Sequence, residues 1–203
     1  MTNETFNDIF EAAKSGSVED VKYFVEERGA DVNTKNYYRE KYHRELTPLH
    51  CAAESNSVEV LQYLISQGAD VNVNVDSRTC VGTPLHTAAG FNSVDVLEYL
   101  VSQGADVNVQ GSCGCTPLHT AAFYNPNVEV LRYLVSQGAN VNAINKFNQT
   151  PLYQAAIALH DSVEVLQYLL SQGADVNSVY VLCGDNKEEK RRVLREAGAS
   201  RLK

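Results

Sequence analysis

The sequence predicts an all-α solenoid, a stack of similar helix pairs, because three short motifs recur along the chain in a fixed order. The motif GADVN, or a close variant of it, begins at Gly29, Gly68, Gly104, Gly138 and Gly173. TPLH begins at Thr47, Thr83 and Thr116, and TPLY begins at Thr150. The third motif, SVEVLQYL or a variant of it, begins at Ser57, Ser93, Asn127 and Ser162. Self-similarity at a period of about 35 residues indicates a repeat architecture.

The TPLH motif predicts the start of the first helix in each repeat. Thr47 has a side chain that accepts a backbone N–H at a helix start, and Pro48 suits the first helical position, where its missing N–H would be unpaired anyway. A pair of alanines follows each motif and keeps one helix face small, so that neighbouring helices approach closely. These pairs are Ala52/Ala53, Ala88/Ala89, Ala121/Ala122 and Ala155/Ala156.

The third motif predicts the second helix of each repeat. Val60, Leu61 and Leu64 recur at helical spacing, and Gly68 follows them where glycine suits a left-handed helix end. Each repeat is therefore expected to be a helix pair plus a connecting finger.

Asparagine occupies the turn between the two helices at Asn56, Asn92 and Asn125. Because asparagine tolerates positive φ better than most residues, we expect these turns to keep that conformation. The extra residues in AAFYNPN and AAIALHDS predict looser turns in the fourth and fifth repeats.

The three motifs together resemble the ankyrin repeat, whose signature is T-P-L-H-x-A at a period of about 33 residues. The resemblance covers almost the whole chain. It implies one domain over 1–203, a curved array with the fingers, similar to β-hairpins, and the first helices on its concave side. Within this domain we expect an N-terminal capping repeat at 1–33, internal repeats at 34–72, 73–108, 109–142 and 143–177, and a truncated C-terminal cap at 178–203.

The C-terminal segment is expected to be a half-repeat that caps the stack. Asn186 precedes Gly198 by twelve residues, the separation that also joins Asn56 to Gly68. We expect a helix whose Lys, Arg and Glu side chains face water, with Val193 and Leu194 turned inward.

The overall charge argues against nucleic-acid binding. The net charge is −8 and the pI is near 5.1, whereas nucleic-acid binders show a basic face. Two basic islands, at 34–46 and 178–203, leave open the alternative of a nucleic-acid or anionic-surface binder. The sequence contains no run of about 18 apolar residues and so predicts no membrane helix.

Five cysteines without regular spacing favour a reducing, cytoplasmic location. We also expect the protein to be a monomer.

The histidines at equivalent repeat positions, His50, His86 and His119, have Tyr153 as their counterpart in the fifth repeat. The resemblance implies that they hydrogen-bond the helix start and the adjoining finger. No glycine-rich phosphate loop, G-x-S-x-G elbow or Ser/His/Asp set stands outside the repeat pattern. We therefore expect no enzyme, no catalytic residue and no cofactor.

The finger cysteines leave two further interpretations open. Cys80 and Cys113 lie three residues before the TPLH threonines of adjacent repeats, and Cys115 follows in CGC. A disulfide would require Cα atoms closer than the ~8–10 Å between stacked helices, and a zinc site usually has four ligands with C-x₂₋₄-C spacing. Ordinary reduced thiols and no metal are the favoured interpretation.

The first finger is unusually long and differs in composition. The interval from Asn33 to Thr47 is fourteen residues, against eight from Asn108 to Thr116. Its extra residues are rich in tyrosine and arginine, the residues that most often anchor protein interfaces. We predict that it contacts a partner protein, one with an acidic patch, through Tyr37, Tyr38, Arg39, Tyr42 and Arg44.

The positions that follow the alanine pairs are free of the repeat pattern. In the third and fourth repeats they hold aromatic residues, namely Phe91, Phe123 and Tyr124. Exposed aromatics are enriched at interfaces, so we predict that these three residues form a groove that binds the same partner.

Overall fold

A computed structural model of the protein describes residues 6–38, 44–76, 82–91, 94–158, 160, 162–179 and 188–199. Within these ranges the chain forms short helices joined by turns and fingers. No helix in this part of the chain is both long and apolar enough to cross a membrane.

The helices occur in pairs along the chain, as the motifs predicted. The pairs are α1 (Ile9–Ser15) with α2 (Val18–Lys22), which a π-helical turn (Tyr23–Glu27) continues, α3 (Pro48–Glu54) with α4 (Val58–Ser66), α5 (Pro84–Gly90) with α6 (Val94–Ser102), α7 (Pro117–Tyr124) with α8 (Val128–Ser136), and α9 (Pro151–Ile157) with α10 (Val163–Ser171). A 3₁₀ turn (Val176–Ser178) and a last helix, α11 (Glu188–Glu196), follow them. Strands β1 (Asn36–Tyr38) and β2 (Arg44–Leu46) pair antiparallel in the first finger. The fold is thus the predicted all-α solenoid.

The alanine pairs let the first helices pack side by side. Ala52 and Ala53 in α3, and Ala88 and Ala89 in α5, are completely buried, as are the corresponding pairs of the other first helices. Each first helix contacts the next one along the chain, from α1 to α9. The apolar face of the second helices is buried behind this layer. The expected role of the alanines is confirmed.

A spine of asparagines from the GADVN motifs fastens each repeat to the next. The Asn33 side chain donates to the Gly68 carbonyl at 3.0 Å and accepts from the Asp70 N–H at 2.9 Å. The same two bonds recur at Asn72, Asn108 and Asn142. Each copy of the motif therefore supplies an amide that bonds the backbone of the next repeat.

The asparagines of the inner turns behave differently from one another. Asn56 has φ of 60°, as predicted, whereas Asn92 lies outside the described residues. The prediction for Asn125 was wrong, because its φ is −108° and its backbone is extended. Pro126 follows it, and a residue before proline is pushed out of the helical region. Buried Asn125 holds this turn by donating to the Ala89 carbonyl at 2.9 Å and accepting from the Asn127 N–H at 2.9 Å.

The last helix confirms one prediction and corrects another. Val193 and Leu194 are buried against the stack, as expected. Lys190, expected to face water, is only 2% exposed. It precedes Leu194 by four residues and so lies on the same helix face. Asn186 lies outside the described residues, and the limits given for each repeat stay predictions.

Candidate partner-binding surface

The first finger, hereafter the α3 finger (residues 34–46), is a β-hairpin. Tyr38 pairs with Arg44, and Tyr37 pairs with Glu45. The side chains of Tyr37, Tyr38 and Arg44 lie outside the described part of the structure, as do Arg39 and Tyr42 entirely. The structure thus gives the backbone on which this predicted site is built, and the contribution of its side chains stays a prediction.

The base of the α3 finger is held by polar contacts. Lys35 and Glu45 lie 3.5 Å apart, nitrogen to oxygen, across the hairpin. The Glu45 N–H donates to the Asp76 carbonyl of the following finger at 3.5 Å. The hairpin is therefore continuous with the row of fingers.

The three predicted aromatic residues lie at the C-terminal ends of α5 and α7. Phe91 directly follows α5, and Phe123 and Tyr124 are the last two residues of α7. Phe91 is 46% exposed and Tyr124 is 48% exposed, whereas Phe123 is half-buried. The rings of Phe123 and Tyr124 meet edge to face, with their centroids 4.7 Å apart. We call these three residues the aromatic patch.

Tyr124 lies close to the end of the neighbouring helix α5. A Cβ atom added to Gly90 would stand 3.8 Å from Cβ of Tyr124 and 3.4 Å from the Thr120 methyl. The Tyr124 side chain therefore lies beside the end of α5, one repeat away. This contact joins the two ends of the aromatic patch across the boundary between repeats.

The α3 finger and the aromatic patch lie at opposite ends of the first helices. The finger leads into the N-terminus of α3, whereas the patch begins at the C-terminus of α5, the next first helix. A helix of seven residues is about 10 Å long. A single partner that touches both surfaces must extend along one first helix and across one repeat.

A second exposed apolar pair was missed in the sequence. Ile144 is 55% exposed and Phe147 is 63% exposed, both in the finger before α9, hereafter the α9 finger (residues 143–149). Its NKFNQ tip could have revealed an exposed Phe147, because asparagines on both sides favour a tight turn.

The tip of the α9 finger is tightly built. Buried Asn145 accepts from the N–H groups of Phe147 at 2.9 Å and Gln149 at 3.0 Å. The Lys146 N–H donates to the Cys113 carbonyl at 3.0 Å, which ties this tip to the finger before α7, hereafter the α7 finger (residues 109–115). Phe147 is thus presented on a rigid turn.

The histidines link each first helix to the next finger, as the resemblance implied. Nδ1 of His86 accepts from the Thr83 N–H at 3.1 Å, so its Nε2 carries the proton and donates to the Cys115 carbonyl at 2.9 Å. His50 and His119 make the same pair of contacts. Burial lowers the pKa of His86 to about 4, and nearby His119 adds to the shift while the bond to Cys115 opposes it. These rings are neutral structural links.

The finger cysteines provide no metal cluster in the described residues. This part of the chain contains no group of three or more His, Cys, Asp or Glu that could hold a metal ion. Cys113 is half-buried and Cys115 is buried, and burial raises the pKa of the Cys113 thiol. Cys80 lies outside the described residues, so the interpretation of this cysteine group stays a prediction.

Comparison with known proteins agrees with the geometry. Two overlapping ranges, 9–111 and 85–180, match a family model that is described as ankyrin repeats (3 copies). The chain is similar to two proteins of Latrodectus tredecimguttatus, being 44% identical over 68 residues to alpha-latrocrustotoxin-Lt1a and 39% identical over 64 residues to alpha-latroinsectotoxin-Lt1a. These matches cover 34% and 32% of this chain but 4% of each toxin.

A third relative is viral. The chain is 31% identical over 117 residues to putative ankyrin repeat protein FPV031 of Fowlpox virus (strain NVSL). The matched stretch covers 58% of this chain and 32% of that protein. The chain therefore spans about a third or less of the length of each of these curated relatives.

Proposed function

Because this chain belongs to the ankyrin-repeat family, whose repeats are generally protein–protein interaction modules, we propose that it recognises a partner protein through its fingers and first helices. The family is typically non-enzymatic, and the histidines that repeat along the chain are occupied in holding it together. Recognition is accordingly the role that fits the surface.

The observation that carries this proposal is the exposure of the aromatic patch. Phe91 and Tyr124 remain almost half exposed although each lies at the end of a helix that is otherwise buried on one side. Large aromatic side chains at neighbouring, solvent-accessible positions are enriched among the residues that dominate binding energy. The repeat motifs do not require either residue.

The α3 finger supports a partner contact by its length and its composition. It holds six more residues than the α7 finger, and the array continues past the shorter finger without them. Lengthening a loop costs only about 0.6 kcal/mol per doubling, so a tolerated insertion is the competing explanation. Three tyrosines and a surplus of positive charge beside an acidic body favour a partner with a local acidic patch.

The test is capture of the partner from a lysate of the native cell with three variants. In the first, residues 36–44 are replaced by a short Asn-Gly finger. In the second, Phe91 and Tyr124 are both changed to alanine. In the control, Gln103, exposed after α6 on the second-helix side, is changed to alanine. We expect all three melting temperatures to stay near that of the wild type, and capture to fail only in the first two.

Two results would count against the proposal. If the trimmed finger and the aromatic double variant both capture the partner as well as the wild type, neither surface takes part in recognition. If capture depends steeply on salt and is abolished by nuclease, the ligand is a nucleic acid, because contacts to several phosphates make affinity fall sharply with salt.

A further inference from the structure

A groove of about 440 Å³ lies between the α7 finger and the α9 finger. Asn108 and Gln110 line it at the base of the α7 finger, and Asn140 and Asn142 line it at the base of the α9 finger. Ile144 lies at its edge and is 55% exposed. This volume is within the range of about 300–1,000 Å³ that is typical of binding sites. Its lining includes no charged side chain, in a chain whose net charge is −8.

Asn140 is the reason that the groove is neutral. The equivalent residue of every other GADVN motif is an aspartate, as in Asp70, Asp106 and Asp175. Asp106 accepts the Asn108 N–H at 2.9 Å, and Asn140 accepts the Asn142 N–H at 3.0 Å. The amide therefore keeps the hydrogen bond that shapes the turn but removes the negative charge.

The polar groups of the groove match those of a peptide backbone. Gln110 and Asn140 are exposed, and each side-chain amide has two N–H donors and an acceptor oxygen, although the Asn142 N–H already occupies one lone pair of the Asn140 oxygen. A peptide group likewise offers a donor and an acceptor. Asn108 and Asn142 are engaged in the asparagine spine and so give the groove fixed walls.

The apolar edge of the groove is held in place. Ile144 directly precedes Asn145, whose amide bonds fix the α9 finger, and the Lys146 N–H bonds this finger to the α7 finger at 3.0 Å. A rigid apolar contact loses less conformational entropy on binding than a mobile one. The edge therefore suits an aliphatic or aromatic side chain of an extended segment.

We propose that this groove receives an extended, uncharged peptide segment of a partner protein, with its backbone against Gln110 and Asn140 and an apolar side chain against Ile144. The inference rests on the proposed function, because it assigns partner chemistry to one part of the finger surface. It concerns a different contact from the α3 finger and the aromatic patch, so it can fail while the proposed function stands.

The probe is a displayed library of random peptides selected on the full-length wild-type chain. We expect enriched peptides without charged residues in their core, and backbone amide shifts on binding that concentrate at residues 108–110 and 140–144. The deciding variant is Asn140→Asp, which keeps the turn bond that aspartate makes in other repeats. A carboxylate in the groove must lose water on binding, so the enriched peptides should bind this variant at least about tenfold more weakly.

The matched control is Asp106→Asn, which makes the converse change one repeat away and should leave affinity within about twofold. A third variant, Ile144→Ser, should weaken binding by about tenfold or more through loss of the apolar contact. The inference is overturned if no peptide is enriched, if the enriched peptides are charged, if Asn140→Asp binds as tightly as the wild type, or if the shifts fall elsewhere. Retained partner capture by the wild type in any of these cases would leave the proposed function intact.

Discussion

Neutral histidine rings hold the middle of the array together, whereas a lysine holds its C-terminal end. In the middle, the buried rings of His50, His86 and His119 reach from one first helix to a carbonyl of the next finger. At the end, Lys190 reaches back from α11. Its Nζ atom donates to the carbonyls of Ala155 at 3.0 Å, Ala158 at 3.0 Å and His160 at 2.8 Å.

The difference follows from the backbone donors and acceptors that need hydrogen-bond partners in each region. Between interior repeats, one ring must accept from an N–H and donate to a carbonyl, which an imidazole does only when it is neutral. After α9, several carbonyls at a helix end need donors, and an ammonium group supplies three protons near the negative end of the helix dipole. The middle of the array therefore depends on an unprotonated group, and the end depends on a protonated one.

The largest effect should come from removing the link at the C-terminal end. Lys190→Met removes hydrogen bonds to three carbonyl oxygens, two of them buried and one half-buried, and the loss of a bond to a buried acceptor costs about 1–3 kcal/mol. We expect a loss of about 3 kcal/mol or more in unfolding free energy, measured by denaturant unfolding. Hydrogen exchange should show the loss in α9–α11 and little change in α5.

Arg192→Gln on the same helix is the matched control for Lys190→Met. Arg192 is exposed, and its contacts to Glu189 and Glu196 are surface ion pairs, so its loss should change stability by less than about 1 kcal/mol. Equal losses in the two variants would show that Lys190 contributes no more than a surface charge.

Acid should weaken the middle of the array first. The folded-state pKa of His86 is lowered to about 4 from a normal value of 6.5, so the unfolded chain binds a proton that the folded chain resists. The stability that this histidine provides is full above pH 6.5 and is lost as the pH falls towards 4. At 1.36 kcal/mol per pKa unit, the loss is about 3 kcal/mol.

Unfolding free energies at pH 7, 5.5 and 4.5 would check this dependence. The His86→Gln variant should show a flatter profile than the wild type, although His119, whose pKa is also lowered by burial, contributes to the same slope. A variant whose profile parallels that of the wild type would remove His86 as the cause.

At neutral pH the histidine link should be worth less than the lysine link. His86→Ala removes one donor and one acceptor, which predicts a loss of about 1–3 kcal/mol. Tyr153, the counterpart of His86 in the fifth repeat, is half-buried, and beside it the Thr150 hydroxyl bonds the Ser178 hydroxyl at 2.7 Å. Tyr153→Phe keeps the ring and removes only the hydroxyl, so it should change stability by less than His86→Ala, and the reverse order would refute this interpretation.

The regular parts of the fold were predictable because each motif acts locally. The Thr-Pro helix start, the alanine pairs and Gly68 with φ of 88° follow from caps, side-chain size and backbone freedom, which short sequence stretches reveal. The turn at Asn125 differs from the turn at Asn56 because Pro126 favours an extended backbone at the residue that precedes it.

The contacts of Lys190 and Phe147 depend on more than their own neighbourhood. The charge of Lys190 predicts a surface residue, yet its spacing from Leu194 places it on the buried face, and its partners lie about thirty residues earlier in the chain. Phe147 is exposed because Asn145 closes the turn beneath it. For the candidate surface, the sequence indicated the aromatic patch by exclusion from the repeat pattern, while the groove beside Asn140 required the relative position of two fingers.

The smallest effects on stability should come from the aromatic patch, which belongs neither to the histidine links nor to the lysine link. Phe91 and Tyr124 are almost half exposed, so alanine at either position should change the unfolding free energy by no more than about 0.5 kcal/mol. Phe123 is half-buried and its ring meets that of Tyr124, so Phe123→Ala should cost more, about 1–2 kcal/mol. Thermal and denaturant unfolding of the three single variants measures this order. A loss of about 3–5 kcal/mol at Phe91 or Tyr124 would mean that the side chain supports the core, and the patch would then be an unsuitable candidate for recognition. Small losses at both, together with lost partner capture by the double variant, would separate the surface that binds from the links that hold the array together.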